Sequence, residues 1–325
     1  MYKIKKSLGQ NFLKSTLALN KIVEAGEVSS EDIILEIGPG KGALTEKLLE
    51  KAGCVIAVEK DYELFNILQE KFKKEIEIKK LILINEDILK FEITNYELRI
   101  RKIIRNVVFK SIAQAVEPSI AISQQGNMCG FKNNIPHYFS YKIIANIPYN
   151  ITGAIFKKFL GGANQPEMMI LMVQNEVAKR IVARDRKESI LSISVKVYGD
   201  PKIIMKVPSR YFSPAPKVDS AIIAIKNISR KIFIENSQIV QSRTLHNLQF
   251  EEKFWEIIRA GFAHKRKKLS SNLKDFLKNK KDGGIASVKS LGNKRAEELT
   301  LNDWIQLTKN TTPPNLPSSR EEKIR

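Results

Sequence analysis

Short apolar runs that end in polar residues constrain the fold of this chain most. Five of them are clear, and they cover residues 33–37, 55–58, 81–84, 141–145 and 168–173. Helix-like patterns lie between most of them, and this alternation predicts an α/β fold with parallel strands and right-handed crossovers. Ligands of such sheets bind at the carboxyl ends of the strands, so these ends form the expected site. The residues expected at this rim are Glu36, Gly38, Glu59, Asp87 and Asn146.

The first run leads into "EIGPGKG" (36–42), a glycine-rich turn from strand to helix. Such a loop alone leaves both a plain turn and several kinds of nucleotide site open. Two later carboxylates make the pattern more specific. Glu59 follows about 20 residues on, where it can accept hydrogen bonds from a ribose diol. Asp87 ends the third run and can accept a bond from an adenine amine. The alternative for both is a solvated loop carboxylate.

The spacing of the glycines in this loop narrows the choice of ligand. It is neither GxGxxG nor GxxxxGK[ST], which argues against a hydride-transfer dinucleotide and against a P-loop. S-adenosylmethionine fits better, because it carries a ribose and an adenine but no pyrophosphate.

Charge and composition indicate the partner. The formal charge is +20, and residues 206–325 hold 24 Lys and Arg against 12 Asp and Glu. This excess favours nucleic acid over an anionic membrane, since neither end forms a strongly amphipathic basic helix. The apolar run at 168–173 is too short for a membrane helix of roughly 20 residues. Two distant cysteines and three scattered histidines predict a cytoplasmic protein without disulfide or metal site.

The spacing of the patterns indicates how the chain is organised. The interval from Asp87 to Asn146 is too long for one crossover, so we expect an insertion at about 96–140. Its composition predicts a short basic helix followed by a mobile surface loop. Further strands are expected at 202–207 and 221–225, and a helical pattern at 251–277. Residues 311–325 are typical of a disordered tail.

The fourth run ends in "NIPY" (146–149), which is either an ordinary turn or a ligand site at a strand end. The motifs, in chain order, are "LGQNFL" (8–13), "EIGPGKGALTEKLL" (36–49), "VIAVEKD" (55–61), "NEDIL" (85–89), "NIPYNIT" (146–152) and "FSPAPKVDSAI" (212–222). Together they resemble the ribosomal RNA adenine N6-dimethyltransferases. That family includes the KsgA-type enzymes of the small ribosomal subunit and the macrolide-resistance enzymes of the large one.

The resemblance implies a fold and a cofactor. It implies a Rossmann-like class I methyltransferase domain with a mostly parallel seven-stranded sheet over 1–205. A smaller, mainly helical rRNA-binding domain is expected over 206–310. The implied cofactor is S-adenosylmethionine. Its implied contacts are Asn11, Leu13, Gly38, Glu59, Asp87 and Asn146.

The resemblance also gives the "NIPY" segment a catalytic role. The Asn146 side-chain oxygen and the Pro148 carbonyl accept hydrogen bonds from adenine N6, which aims the nitrogen lone pair at the methyl group. No general base is needed, because the product ammonium loses its proton to water. Tyr149 stacks on the flipped base and Phe212 covers its other face. Core packing is the alternative for either aromatic taken alone.

The last implication concerns the substrate. "FSPAPKVDS" and "FAHKRKKLSSNL" (262–273) are similar to the KsgA-type branch. This implies N6,N6-dimethylation of 16S rRNA adenines within a 30S precursor by a monomeric enzyme. The expected RNA contacts are His264, Lys265, Arg266, Lys267 and Lys268. One alternative is a 23S rRNA adenine methyltransferase that confers macrolide resistance, since Ile147 is common in that branch. The other is an RNA-binding assembly factor with little catalysis.

Overall fold

The structure is a computed structural model, and it describes residue 2, residue 5 and residues 9–96, 140–236, 245–277 and 293–311. Most of the expected insertion (97–139) and of the expected tail (312–325) lies outside the described residues.

Nine strands occur in the described residues. They are β1 (Phe12–Leu13), β2 (Ile33–Ile37), β3 (Cys54–Glu59), β4 (Leu81–Asn85), β5 (Lys142–Asn146), β6 (Met168–Gln174), β7 (Asp200–Val207), β8 (Phe212–Ser213) and β9 (Ser220–Lys226). Each of the seven strands expected from the sequence is present.

Eleven α-helices accompany them in the same part of the chain. They are α1 (Thr16–Ala25), α2 (Ala43–Lys51), α3 (Tyr62–Lys71), α4 (Lys73–Glu77), α5 (Thr152–Leu160), α6 (Asn175–Val182), α7 (Ile190–Lys196), α8 (Lys231–Asn236), α9 (Leu245–Gly261), α10 (Leu269–Leu277) and α11 (Leu301–Thr311). The helical pattern predicted over 251–277 is two helices, α9 and α10, separated by residues 262–268.

The main sheet has seven strands in the order β4-β3-β2-β5-β6-β9-β7. The pairs from β4 to β6 are all parallel, whereas β9 runs antiparallel to β6 over six residue pairs. This confirms the expected mostly parallel seven-stranded sheet. Every residue of β2 and β3 is buried, which explains why these strands read as unbroken apolar runs.

Two of the helices around the sheet begin at a short polar residue that caps them. Ser15 caps α1 by accepting from the Ala18 amide, and Asp61 caps α3 by accepting from the Glu63 amide. Buried aliphatic residues of α1, α2 and α3 then pack with the central strands into one core.

A second, two-stranded sheet fixes the N-terminal motif. β1 pairs antiparallel with β8, with Leu13 opposite Phe212. The Lys14 amide adds a hydrogen bond to the Tyr211 carbonyl at 2.8 Å. The N-terminal motif is therefore attached to the proline-rich loop between β7 and β9.

The chain divides into two compact units. Unit 1 comprises residues 1–175 and 202–226, and unit 2 comprises residues 176–201 and 227–325. The boundary expected at residue 205 falls inside β7, and the structure carries unit 1 on to residue 226 because β9 pairs with β6. The rRNA-binding role expected for the C-terminal domain stays a prediction.

Unit 2 is held together by aromatic packing. Phe233 lies at the centre, with its ring 5.5 Å from Tyr198, 5.6 Å from Phe254 and 6.4 Å from Phe250. Farther along the unit, Trp304 is fully buried and stacks on Phe262. In the part of the chain that the structure describes, no helix has the length and apolar character to cross a membrane.

Candidate active site

A cavity of about 610 Å³ opens at the carboxyl ends of β2, β3, β4 and β5. Its wall contains eight of the nine residues predicted for cofactor binding or catalysis. These are Asn11, Leu13, Gly38, Glu59, Asp87, Asn146, Pro148 and Tyr149. Phe212 is the ninth; it lies beside the cavity in β8. The cavity lies within unit 1.

The glycine loop leaves space for a ligand at its first glycine. Gly38 has a φ of +63°, in the left-handed region that favours glycine. A Cβ built at Gly38 would meet only the Pro148 ring, at 4.0 Å. A ligand can therefore approach the Gly38 backbone closely from the cavity side.

Glu59 ends β3 with its carboxylate fixed by two backbone amides. One oxygen accepts from the Gly40 amide at 3.0 Å, and the other accepts from the Asp61 amide at 2.8 Å. Burial raises the pKa of Glu59, and the bonds from Asp61 and Gly40 counteract this. Since a carboxylate oxygen has two lone pairs, each oxygen can still accept one hydroxyl of a ribose diol.

Asp87 follows β4 and is also held in place. Its Oδ1 accepts from the Leu89 amide at 3.0 Å, and its Oδ2 accepts from Lys60 Nζ at 2.8 Å. The bond from Lys60, supported by that from Leu89, lowers the pKa of Asp87. Asp87 is therefore an ionised acceptor at neutral pH, suited to a ligand amine.

Asn146 ends β5 and contacts the N-terminal motif. Its Nδ2 donates to the Asn11 carbonyl at 3.1 Å. This bond directs the amide so that Oδ1 is left without a hydrogen-bond partner among the described residues. Two residues on, the Pro148 carbonyl accepts only a long bond of 3.3 Å from the Ile151 amide. The strand end thus offers two acceptor oxygens.

The two predicted aromatics differ in exposure. Tyr149 is partly exposed in the cavity, and its hydroxyl is hydrogen-bonded to Ser220 of β9. Phe212 is only 3% exposed and packs in the core of unit 1. Stacking by Tyr149 and covering of the base by Phe212 stay predictions. The latter requires the Phe212 ring to become exposed.

The structure adds residues that the sequence analysis missed or left without a role. Glu36, expected at the rim, is 1% exposed and accepts from Thr45 Oγ1 at 2.7 Å. Burial raises the pKa of Glu36 to about 8. Asp61 was missed, although it lies two residues beyond Glu59 in "VIAVEKD". It binds Tyr2, Lys5 and Gln10, and no periodicity links such distant positions.

The predicted RNA contacts at 264–268 lie between α9 and α10 in unit 2. All five side chains are exposed, and Lys268 Nζ donates to Asn293 Oδ1 at 2.8 Å. Exposure is compatible with RNA binding and with a solvated turn, so this assignment stays a prediction. In the described ranges, no three His, Cys, Asp or Glu side chains are grouped so that they could hold a metal ion.

Comparison with known proteins identifies relatives of the whole chain. The family model "Ribosomal RNA adenine dimethylase" matches residues 1–312. A protein of Dehalococcoides mccartyi named "Ribosomal RNA small subunit methyltransferase A" is 36% identical over 306 residues, which are 93% of this chain and 87% of that protein. A protein of the same name from Fusobacterium nucleatum is 31% identical, covering 95% of this chain and 97% of the relative.

Solved structures share the fold. A dimethyladenosine transferase from Plasmodium falciparum superposes with a TM-score of 0.64 at 23% identity, covering 91% of this chain and 95% of that one. The 23S rRNA methyltransferase ErmE superposes with a TM-score of 0.61 at 20% identity, covering 93% and 99%. These likenesses concern the architecture and do not distinguish between substrates.

Proposed function

Given that this chain belongs to the ribosomal RNA adenine dimethylase family, we propose that it dimethylates adenine N6 in small-subunit rRNA. The methyl donor is S-adenosylmethionine, bound in the cavity at the edge of the sheet. Membership of the family makes the chain an rRNA adenine dimethyltransferase.

The observation that carries the proposal is the orientation of the Asn146 amide. Its donor side is bound to the Asn11 carbonyl, so its oxygen is available at the end of β5. Pro148 supplies a second carbonyl two residues later. An adenine amine has two N–H groups, and two adjacent acceptors match it.

These acceptors act on the reactivity of the base. The N6 lone pair of adenine is delocalised into the ring, which makes the nitrogen a poor nucleophile. Hydrogen bonds to both N–H groups favour a pyramidal nitrogen and stabilise the positive charge that forms in the transition state. The cavity holds the base and the donor in one place, and this positioning lowers the barrier further. The proton is lost to water after transfer, so no side chain is needed as a base.

The cavity residues also fit the donor. Glu59 accepts from the ribose, Asp87 accepts from the adenine amine, and the Gly38 backbone leaves room for close approach. When bound, S-adenosylmethionine supplies the methyl group from its sulfonium. Asn11 and Leu13 also line the cavity.

The names of the relatives and the net charge of the chain support the choice of target rRNA. The curated relatives are named for the small subunit, and "FSPAPKVDS" and "FAHKRKKLSSNL" are similar to that branch. The formal charge of +20 favours binding to an RNA-rich particle. We propose that the chain acts as a cytoplasmic monomer on 16S rRNA within a 30S precursor.

Methyl transfer to isolated particles tests the proposal. The purified chain is incubated with labelled S-adenosylmethionine and 30S or 50S particles from a strain that lacks adenine dimethylation. Mass spectrometry of the rRNA then locates the product. We expect dimethyladenosine in 16S rRNA only. Methylation of 23S rRNA instead would assign the chain to the macrolide-resistance branch, and tight binding without transfer would make it an assembly factor.

A further inference from the structure

The N-terminal strap, defined as residues 9–13, crosses the ligand-binding edge of the sheet. The Phe12 ring lies against Gly40 after β2, where a Cβ would be 3.0 Å from it. The Asn11 carbonyl accepts from Asn146 at the end of β5. Leu13 is paired with β8. Residues of the strap form part of the cavity wall, so movement of the strap away from the sheet would widen the way in for a ligand.

A cluster that we call the clasp holds the other end of the strap. It consists of Tyr2, Lys5, Gln10 and Asp61. Lys5 Nζ donates to Asp61 Oδ1 at 2.9 Å, and Gln10 Nε2 donates to Asp61 Oδ2 at 3.0 Å. The Tyr2 hydroxyl lies 2.7 Å from both Gln10 Oε1 and Asp61 Oδ2, and its single proton serves one of them at a time.

Asp61 is the centre of this cluster. Its side chain is fully buried, and its Oδ1 also accepts from the Glu63 amide at 3.0 Å. Each oxygen therefore has two donors within hydrogen-bond distance, and three of the four donors belong to the N-terminal residues Tyr2, Lys5 and Gln10. Burial would raise the pKa of Asp61, but the bonds from Lys5, Tyr2 and Gln10 outweigh it and bring the pKa to about 2. Asp61 is thus ionised at neutral pH, with hydrogen-bond donors around both of its oxygens.

We infer that Asp61 is a positioning residue that holds the strap closed and so sets the rate of cofactor exchange. This inference rests on the proposed function, because it takes the cavity as the cofactor site. The Asp61 carboxylate faces the strap, whereas its backbone amide fixes the ribose acceptor Glu59. One residue therefore couples closure of the strap to the cofactor-binding carboxylate.

If the strap controls access to the cavity, changes in the clasp should alter the binding kinetics in a specific way. The clasp bonds join side chains of the protein to one another, so weakening them should raise the open fraction equally in the free and the bound chain. Association and dissociation rate constants then rise together, and the dissociation constant stays nearly unchanged. A residue that only contributes binding contacts would raise the dissociation rate constant alone.

The test measures binding of S-adenosyl-L-homocysteine to the immobilised full chain by surface plasmon resonance. Tyr2→Phe removes only the hydroxyl, and Asp61→Asn keeps an amide oxygen that can still cap α3. We expect both rate constants to rise about two- to ten-fold in each variant. Adding Lys5→Met to Asp61→Asn should raise them further, since Lys5 also pairs with Glu63 at 2.9 Å and this second bond is lost only in the double variant.

Lys21→Met is the matched control. The Lys5 and Lys21 side chains are 38% and 37% exposed, and each pairs with a carboxylate at 2.9 Å. We expect this control to bind at wild-type rates. Unchanged rates in Tyr2→Phe and Asp61→Asn, or faster dissociation with a matching loss of affinity, would overturn the inference. No binding by the wild-type chain would contradict the proposed function itself.

Discussion

At the scale of single residues, the amide of Asn146 separates binding from catalysis. Its oxygen stabilises charge that appears only during transfer, so Asn146→Ala should lower kcat about 10²- to 10³-fold. Cofactor affinity should change little. Rates at saturating substrate and calorimetry with S-adenosylhomocysteine measure the two effects. Asn95→Ala, at an exposed position outside the cavity, is the control. A parallel loss of affinity would reduce Asn146 to a binding residue.

Glu59 should show the opposite behaviour. Glu59→Ala removes the two acceptors of the ribose and leaves the Gly40 and Asp61 amides without their partner. We expect the cofactor to bind about 1–3 kcal/mol more weakly. Calorimetry with S-adenosylhomocysteine checks this. Wild-type affinity in the variant would remove Glu59 from the site.

Glu36 predicts a pH dependence of stability. Its pKa of about 8 in the folded state lies above that of an unfolded glutamate. The stabilisation that Glu36 contributes in its neutral form is therefore fully present at low pH and is lost as the pH rises towards 8. Wild-type stability relative to Glu36→Gln should fall by on the order of 3 kcal/mol between pH 5 and pH 8. Urea unfolding of both proteins at each pH measures this, and a constant difference would show that Glu36 is ionised when folded.

The sequence located at one edge of the sheet those residues that end an apolar run, and their roles stay predictions. Glu59, Asp87 and Asn146 each end an apolar run, and the sheet brings such ends together. Asp61 could not be found this way. Its partners Tyr2, Lys5 and Gln10 reach it only because the strap crosses the sheet edge, and that path depends on the pairing of β1 with β8.

At the scale of elements, Gly42 shows how closely α2 and α3 pack. Its φ is +78°, and a Cβ there would lie 2.5 Å from the Phe72 ring. Gly42→Ala should therefore destabilise the chain by about 2–4 kcal/mol, through backbone strain and overpacking. Gly153→Ala is the matched control, because a Cβ at Gly153 meets nothing within 4 Å. Thermal unfolding compares the two, and equal melting temperatures would contradict this picture.

The second prediction for a structural element concerns the exposed turn between α9 and α10. Reversing Lys265, Arg266 and Lys267 to glutamate should weaken binding to 30S particles and flatten its salt dependence by about one unit of slope per lost phosphate contact. Cofactor binding should not change. The control reverses the exposed residues Lys51, Lys73 and Lys74 of unit 1. An equal effect of both variants would show that only net charge matters.

The strands and helices predicted best are those in which the apolar pattern has no interruption. The strands from β2 to β6 agree with their runs because both faces of the sheet are covered. The helical pattern over 251–277 concealed a break at residues 262–268, although Gly261, the last residue of α9, is a signal that could have marked it. The two-residue strands β1 and β8 are too short for any periodicity, so only the structure reveals them.

At the scale of the whole molecule, the sequence predicted the sheet but not how the chain is divided. The family resemblance implies one boundary at residue 205. The chain instead passes between the units after residues 175, 201 and 226, because β7 and β9 return to the sheet after residues 176–201 have entered unit 2. A single boundary cannot describe a chain that leaves a unit and then returns to it.

The position of β9 has a consequence for how the protein is made. Translation delivers the chain from the N-terminus, so β6 leaves the ribosome well before the strand that pairs with it. Until residue 226 has emerged, one edge of β6 is open, and its middle residues are apolar and fully buried in the finished fold. β7 also waits, because β9 is its neighbour in the sheet. While residues 175–226 are being synthesised, the nascent chain therefore exposes an unpaired edge of an apolar strand. We expect chaperones to bind the nascent chain during this interval.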